Sequence, residues 1–274
     1  MRFSKYQGLG NDFVVIDERS RSECSLTTDA RRKLCHRHLG IGADGVLTLL
    51  TPSAGAIARM HVTNADGSVA QMCGNGLRCV SLWLLQAGVV EVEQEHIVQT
   101  DAGPRSCRVL ALPVDGASDV RVEMGPALWH GPGAPAWFRE PLVLQGGGYR
   151  ASALSMGNPH LVLEADADLS LAARLGPVFE IDPRFPERTN VELASLRADG
   201  SIDVVVWERG VGLTQACGTG ACAVVAAFAR AGKVPFDEDV MVHLPGGSLR
   251  VRVPSREGPL WMTGPARRVF GGEV

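Results

Sequence analysis

Lysine is nearly absent from this chain: Lys5, Lys33 and Lys233 are the only three among 274 residues. With a formal net charge of −3, it offers no basic footprint for nucleic acid or an anionic membrane. No apolar run approaches the roughly 18 residues that a membrane span requires. The first residues, MRFSKYQGLGNDF, are polar where a secretion signal would be apolar. A cytoplasmic protein with neither nucleic acid nor membrane as partner is therefore expected. Other signatures are missing too. There is no Cys-x-x-Cys and no histidine at finger spacing after a cysteine pair, and the turns CGNG and CGTG do not follow the G-x-G-x-x-G spacing. Dithiol and zinc readings thus lack their usual motifs, and neither cysteine turn reads as a dinucleotide loop.

Apolar residues make up 45% and charged residues 21%, which marks a folded globular chain without a disorder signature. Its length suits one large domain or two of ordinary size. The seven cysteines, at 24, 35, 73, 79, 107, 217 and 222, are odd in number, so a full disulfide framework would leave one over. Free thiols are expected in a reducing compartment. A cysteine is by default a small buried hydrophobe, and that reading serves for Cys24, Cys35, Cys79, Cys107 and Cys222.

Cys73 and Cys217 stand apart because their surroundings repeat. QMCGNG at Gln71–Gly76 and QACGTG at Gln215–Gly220 align at an offset of 144, and Ala87-Gly88 then falls on Ala231-Gly232. Gly10-Asn11 precedes an apolar run in the first half, as Gly157-Asn158 does in the second. Met-Gly-Pro at 124–126 is echoed by Met-Thr-Gly-Pro at 262–265. Four landmarks in one order point to a duplicated half-molecule.

Leu77–Ala87 and Ala221–Ala231 lack proline, are apolar almost all round, and stop at a glycine, which predicts a buried helix in each half. Short β-branched runs flank each helix: 13–17, 46–50, 96–100 and 120–124 in the first half, then 201–208, 240–244 and 248–253 in the second. The expected fold class is α/β (α+β). Two pseudo-symmetric domains would each form a curved, mainly antiparallel sheet or barrel around a central helix, with the active site in the cleft between them. The expected boundaries are 1–117 together with the C-terminal segment 263–274, and 118–262. The Pro- and Gly-rich stretch 125–135 fits a connection.

Both repeated cysteines would stand at a helix start. Unpaired N–H groups and the helix dipole there favour negative charge, and can lower a thiol from about 8.5 into a range of roughly 3.5 to 7.5. The same N–H groups can hold a carboxylate. Two such thiols on opposite sides of one ligand would suit inversion of a carbon stereocentre, one thiolate taking a proton and one thiol returning it, with no cofactor. Two core cysteines, or two thiols that close a regulatory disulfide, are the competing readings at this point.

The segments GLGNDFVVID (8–17), NADGS (64–68), MCGNGLRC (72–79), SMGNPH (155–160), ERTN (187–190), ERG (208–210), QACGTGAC (215–222) and LPGG (244–247) together resemble the diaminopimelate epimerase family over essentially the whole chain. The resemblance implies interconversion of LL- and meso-2,6-diaminopimelate, in lysine and peptidoglycan precursor synthesis, without pyridoxal phosphate, metal or nucleotide. It implies that Cys73 and Cys217 transfer the proton and that His160 and Glu208 tune them. It also implies that the turns Gly74-Asn75 and Gly218-Thr219 hold the reacting carboxylate. Asn11, Asn64, Asn158, Asn190, Glu208 and Arg209 would read the substrate, largely at its far end, and the chain would be a homodimer. A structural role as a hydrogen-bonded histidine stands beside the tuning role of His160, and a turn-forming role beside the binding role of Asn64. Gly45 and Phe270 replace a glutamine and a tyrosine of some members, so Gly45 is left out of the site. The related proline-type racemases share the two-thiol logic but lack a far ammonium and carboxylate for Glu208 and Arg209 to bind.

Overall fold

A computed structural model describes residues 1–53, 55–129, 135–144 and 147–274. The chain divides into two compact units, Met1–Glu123 with Thr263–Val274, and Met124–Met262. The first contains β1 (Arg2–Gly8), β2 (Asn11–Glu18), α1 (Thr28–Cys35), β3 (Gly45–Leu50), β4 (Ala58–Asn64), β5 (Val69–Ala70), α2 (Gly74–Gln86), β6 (His96–Thr100), β7 (Gly103–Val109) and most of β8 (Ala117–Pro126). The second contains β9 (Glu140–Leu144), β10 (Gly147–Ser155), β11 (Pro159–Glu164), α3 (Leu169–Glu180), β12 (Asn190–Leu196), β13 (Ile202–Glu208), β14 (Gly212–Leu213), α4 (Gly218–Arg230), β15 (Asp239–Leu244), β16 (Gly247–Arg252) and the start of β17 (Pro259–Glu273). From β10 onward the order of elements repeats that from β1, as the sequence repeat requires. Of the stretch 125–135 expected to connect the halves, residues 130–134 lie outside the described residues, and Gly125 and Pro126 close β8.

The strand pairings of the first unit close on themselves. β17 runs antiparallel to β1, β1 antiparallel to β2, β2 parallel to β3, and β3 antiparallel to β4. β4 is parallel to β6, β6 antiparallel to β7, β7 antiparallel to β8, and β8 returns to β17. Eight strands thus form a barrel, which leaves no free edge. In the second unit the corresponding strands pair in the same sense: β10–β11 antiparallel, β11–β12 parallel, β12–β13 antiparallel, β13–β15 parallel and β15–β16 antiparallel.

Strands β2, β3, β11, β12 and β13 read as apolar runs because both of their faces are covered, whereas β6, β8 and β15 alternate buried and more exposed positions. In the second unit Ala151, Ala153, Leu161, Leu163, Val191, Leu193 and Val205 turn one way, onto Ala172, Leu175 and Phe179 of α3. Their neighbours turn the other way, toward α4, which is buried from Gly218 to Ala229 except at Thr219. The first unit follows the same plan, with Val14, Ile16 and Val46 packed toward Cys35 of α1, and α2 buried at ten of its thirteen positions.

The two enclosed helices begin three residues earlier than the apolar pattern predicts, at Gly74 and Gly218, because the preceding cysteines cap them. They end alike. Gly88 and Gly232 take positive φ values of 70° and 69°, and the amides of Val89 and Lys233 reach back to the carbonyls of Leu84 and Phe228. The sequence pattern did not reveal α1 or α3. α1 is short, and α3 carries Gly176-Pro177, a pair that reads as a helix breaker. Gly176 is needed because a Cβ there would stand 2.3 Å from Cγ of Trp207 on β13. No helix among the described residues is long and apolar enough to cross a membrane.

Burial also sets a pH limit on this core. It raises the thiol of Cys35 to about 11 and those of Cys79 and Cys107 to about 12, against 9.0 for an ordinary thiol. A raised thiol holds its proton longer in the folded than in the unfolded chain, so the stabilisation is intact below pH 9 and is lost as pH climbs toward 11–12. The urea midpoint should therefore fall above pH 9, and the fall should be shallower in Cys79→Ala/Cys107→Ala. A midpoint flat to pH 11 in the parent would contradict this account.

Candidate active site

In the first unit, Cys73 has extended backbone at φ −142° and ψ 111°, caps α2 and accepts the Gly76 amide on its sulfur at 3.3 Å. A helix has no internal acceptor for its first N–H groups, so the Gly74-Asn75 turn beside this sulfur is the positive end of α2. The turn is braced from β2. Asn75 Nδ2 donates to Asn11 Oδ1 at 3.1 Å, Asn11 Nδ2 donates to Asp44 Oδ2 at 2.8 Å, and Arg37 pairs with Asp44 at 2.7 Å. Asp12 belongs to the same cluster, with Lys5 at 2.5 Å and Arg37 at 2.8 Å. Burial works against its charge, but the bonds from Arg37 and Lys5 outweigh burial and hold its carboxyl at about 2.

Asn64 is placed at the end of β4, where its amide nitrogen donates to Ser68 Oγ at 3.0 Å and its backbone N–H to the Ser68 carbonyl at 2.9 Å. Those bonds are the turn-forming ones. Opposite it on β3, Gly45 has no room for a side chain: a Cβ would lie 2.8 Å from the Thr63 carbonyl oxygen.

The second unit holds a more polar constellation. Cys217 caps α4 with φ −116° and ψ 111°, accepting the Gly220 amide at 3.4 Å, with Thr219 Oγ1 at 3.5 Å from its sulfur. Glu208, the last residue of β13, accepts the Thr214 hydroxyl at 2.6 Å and a hydrogen bond from Cys217. His160 on β11 is completely buried, with Nδ1 2.6 Å from Glu192 Oε1 and Nε2 3.1 Å from Asn158 Oδ1. Asn190 donates to the Pro159 carbonyl at 2.8 Å and accepts the Arg209 amide at 3.0 Å, while the Arg209 guanidinium reaches the Glu187 carbonyl at 2.8 Å. One unit therefore gathers Asn158, His160, Asn190, Glu208, Arg209, Cys217, Gly218 and Thr219, and the other gathers Asn11, Cys73, Gly74 and Asn75.

Electrostatics corrects one expectation drawn from the helix start. The thiol of Cys217 is raised well above 9.0, not lowered. Burial is the largest cause, followed by the carboxylates of Glu208 and Glu192, and together they outweigh Thr219 and the Gly220 amide. Burial likewise raises the carboxyl of Glu208, against the bond from Thr214 and the charge of His160. Cys217 thus holds its proton more firmly than an ordinary thiol.

Glu192 and Thr214 join this cluster through His160 and Glu208, and motif reading did not single them out. Glu192 left one signal, a lone acid inside the apolar strand Asn190–Leu196, and Thr214 left none.

The model of the family described as diaminopimelate epimerase matches residues 3–130 and 152–269. A diaminopimelate epimerase of Desulforudis audaxviator is 44% identical over 282 residues, covering 100% of this chain and 99% of its own. One from Synechocystis sp. is 41% identical over 283 residues, with the same coverage. Among solved structures, a hydroxyproline epimerase from Agrobacterium vitis superposes with a TM-score of 0.72 at 18% identity, covering 100% of this chain and 90% of that one. A phenazine biosynthesis protein of the PhzF family from Bacillus anthracis gives 0.73 at 16%, covering 100% and 98%. At such identities these two show a shared fold.

Limited alkylation with iodoacetamide near pH 8, read by peptide mass spectrometry, should label half-buried Cys73 well before buried Cys217. Glu208→Gln removes one of the charges opposing the thiolate and should speed labelling of Cys217. Equal labelling of both cysteines in the parent would contradict the electrostatic assignment.

Proposed function

The chain belongs to the diaminopimelate epimerase family, and we propose that its Cys73 and Cys217 are the two proton carriers of the epimerisation. The enzyme is an isomerase that acts on a small molecule. The observation that carries the assignment is the matched pair of capping cysteines, each with its sulfur on the third amide of an enclosed helix and a glycine-containing turn beside it.

The chemistry follows from these parts. A Cys73 thiolate removes the α-proton, so that the C–H bond breaks and an S–H bond forms. The electron pair left on carbon is delocalised into the substrate carboxylate, which the amides of Gly74-Asn75 and Gly218-Thr219 are suited to hold as its charge grows. Cys217 delivers its proton to the opposite face and is left as the thiolate. The stereocentre is inverted and charge is conserved, and the return direction exchanges the two roles. The raised thiol of Cys217 supports its starting as the acid. Glu208 and Arg209 complement the ammonium and carboxylate of the far end, with Asn11, Asn64 and Asn158 as further polar contacts. Asn190, whose amide group is committed to Pro159 and the Arg209 backbone, contributes by placing Arg209. His160 tunes the Cys217 side. The scheme calls for no cofactor.

The reading extends to two epimerase domains in a cytoplasmic homodimer, with the boundary expected after residue 117 moved to Glu123 because β8 pairs with β7 of the first unit. Exposed Val269 and Phe270 on β17, an apolar pair in a charged surface strand, support a second copy as partner.

Proton NMR of LL-diaminopimelate in D2O with the reduced protein should show loss of one α-proton signal and appearance of the meso isomer. Cys73→Ala and Cys217→Ala should each lower turnover by at least on the order of 10²-fold while remaining folded. Substantial turnover by either variant would refute the two-thiol scheme. Light scattering after size exclusion should give twice 29.2 kDa, and a mass of one chain would refute the dimer.

A further inference from the structure

The duplication supplies an internal comparison between the two cysteine environments. In the first unit Val15 pairs with Leu47, Phe13 with Gly45, and Gly45 with Asn64. In the second, Val162 pairs with Glu192 and His160 with Asn190, and β13 runs on to Glu208 beside β12. Aligned by these registers, His160 stands where the first unit has Phe13, Glu192 where it has Leu47, and Glu208 where it has Asn64. Contacts of the enclosed helices agree with this alignment. A Cβ on Gly76 would meet Leu47 Cδ2 at 3.1 Å, and a Cβ on Gly220 would meet Glu192 Oε1 at 2.9 Å. The Cys73 helix therefore starts against an apolar wall and the Cys217 helix against a charged one.

Glu192 is completely buried. Its Oε1 lies 2.6 Å from His160 Nδ1, and its Oε2 is buried without a hydrogen-bond partner. A buried carboxyl oxygen without a partner is costly, so Glu192 carries a stability cost that Leu at the same place would not. His160 is held at both ring nitrogens, Nδ1 by Glu192 and Nε2 by the Asn158 side chain. The titratable groups gathered here are His160 from β11, Glu192 from β12, Glu208 from β13, and Cys217 and Cys222 from α4. The adjoining end of β10, Ala151–Ser155, carries none.

We infer that Glu192 is a positioning residue for the epimerisation: it holds His160 through Nδ1, so that the imidazole offsets the carboxylate charge beside Cys217 and makes the two thiols chemically unequal. The inference rests on the two-thiol reading above. Glu192 touches no reacting atom and acts through His160 and the first turn of α4. Without its charge, His160 loses the partner that fixes its ring and proton, and proton delivery by Cys217 loses its tuning.

Glu192→Gln keeps the shape and removes the charge. It should remain folded by circular dichroism and lower kcat on the order of 10- to 100-fold, with KM little changed and one limb of the kcat–pH profile displaced. His160→Phe/Glu192→Leu rebuilds in the second unit the apolar pair of the first. Replacing a buried ion pair by apolar side chains of similar volume is often neutral or stabilising, so this variant serves if Glu192→Gln does not fold. Because Glu192 acts through His160, the double variant's loss of kcat should equal that of His160→Phe alone, and a further loss beyond that variant overturns the inference. Parental kcat and pH profile in either folded variant, or a change confined to KM, overturns the inference. Cys73→Ala and Cys217→Ala are assayed alongside. Inactive cysteine variants with unaffected Glu192 variants sink the role of Glu192 alone, whereas active cysteine variants sink the two-thiol reading beneath it.

Discussion

A helix enclosed by a barrel has to satisfy its first N–H groups from within the protein, because water does not reach them freely. In this chain a cysteine sulfur does so twice, on Gly76 and on Gly220. Much else depends on that bond. The capped residue is a glycine both times, where a Cβ would stand 3.1 Å from Leu47 Cδ2 or 2.9 Å from Glu192 Oε1. The bond also fixes each thiol at the end of a rigid element rather than on a loop, which is where a proton carrier gains most from preorganisation.

Sulfur is a weak acceptor, and a serine or aspartate would cap more strongly. Keeping cysteine at both positions trades helix stability for a group whose proton can move. The rest of each unit absorbs that weakness through burial: central strands covered on both faces, helices buried around most of their circumference, and the same left-handed glycine at both helix ends.

The two halves share a backbone plan and differ in what surrounds the sulfur. Around Cys73 the braces are neutral amides anchored to an outer charge cluster, from Asn75 through Asn11 to Asp44 and Arg37. Around Cys217 the charges come to the sulfur itself, with Glu208 hydrogen-bonded to it and Glu192 behind the first turn of its helix. A duplicated fold with unequal halves is a natural setting for a reaction that needs an acid and a base at once.

Much of this was legible in the residues. The offset of 144 between two Cys-Gly turns, together with proline-free apolar runs ending in glycine, identified the duplication, both enclosed helices and the capping cysteines, because these features are local and periodic. The strands at 46–50, 96–100 and 240–244 were legible for the same reason. What lay beyond reach depends on contacts distant in sequence. α3 is a helix despite Gly176-Pro177, and its glycine is there because Trp207 occupies the space a side chain would need. Asn190 serves Pro159 and Arg209, and Glu192 meets His160 across 32 residues, which no spacing rule announces. The sequence by itself determined that two cysteines stand in matching turns at the starts of matching helices. Tertiary structure decided that Cys217 waits as a thiol, because a thiol's acidity is set by burial and by the carboxylates brought beside it, and not by its place in the chain.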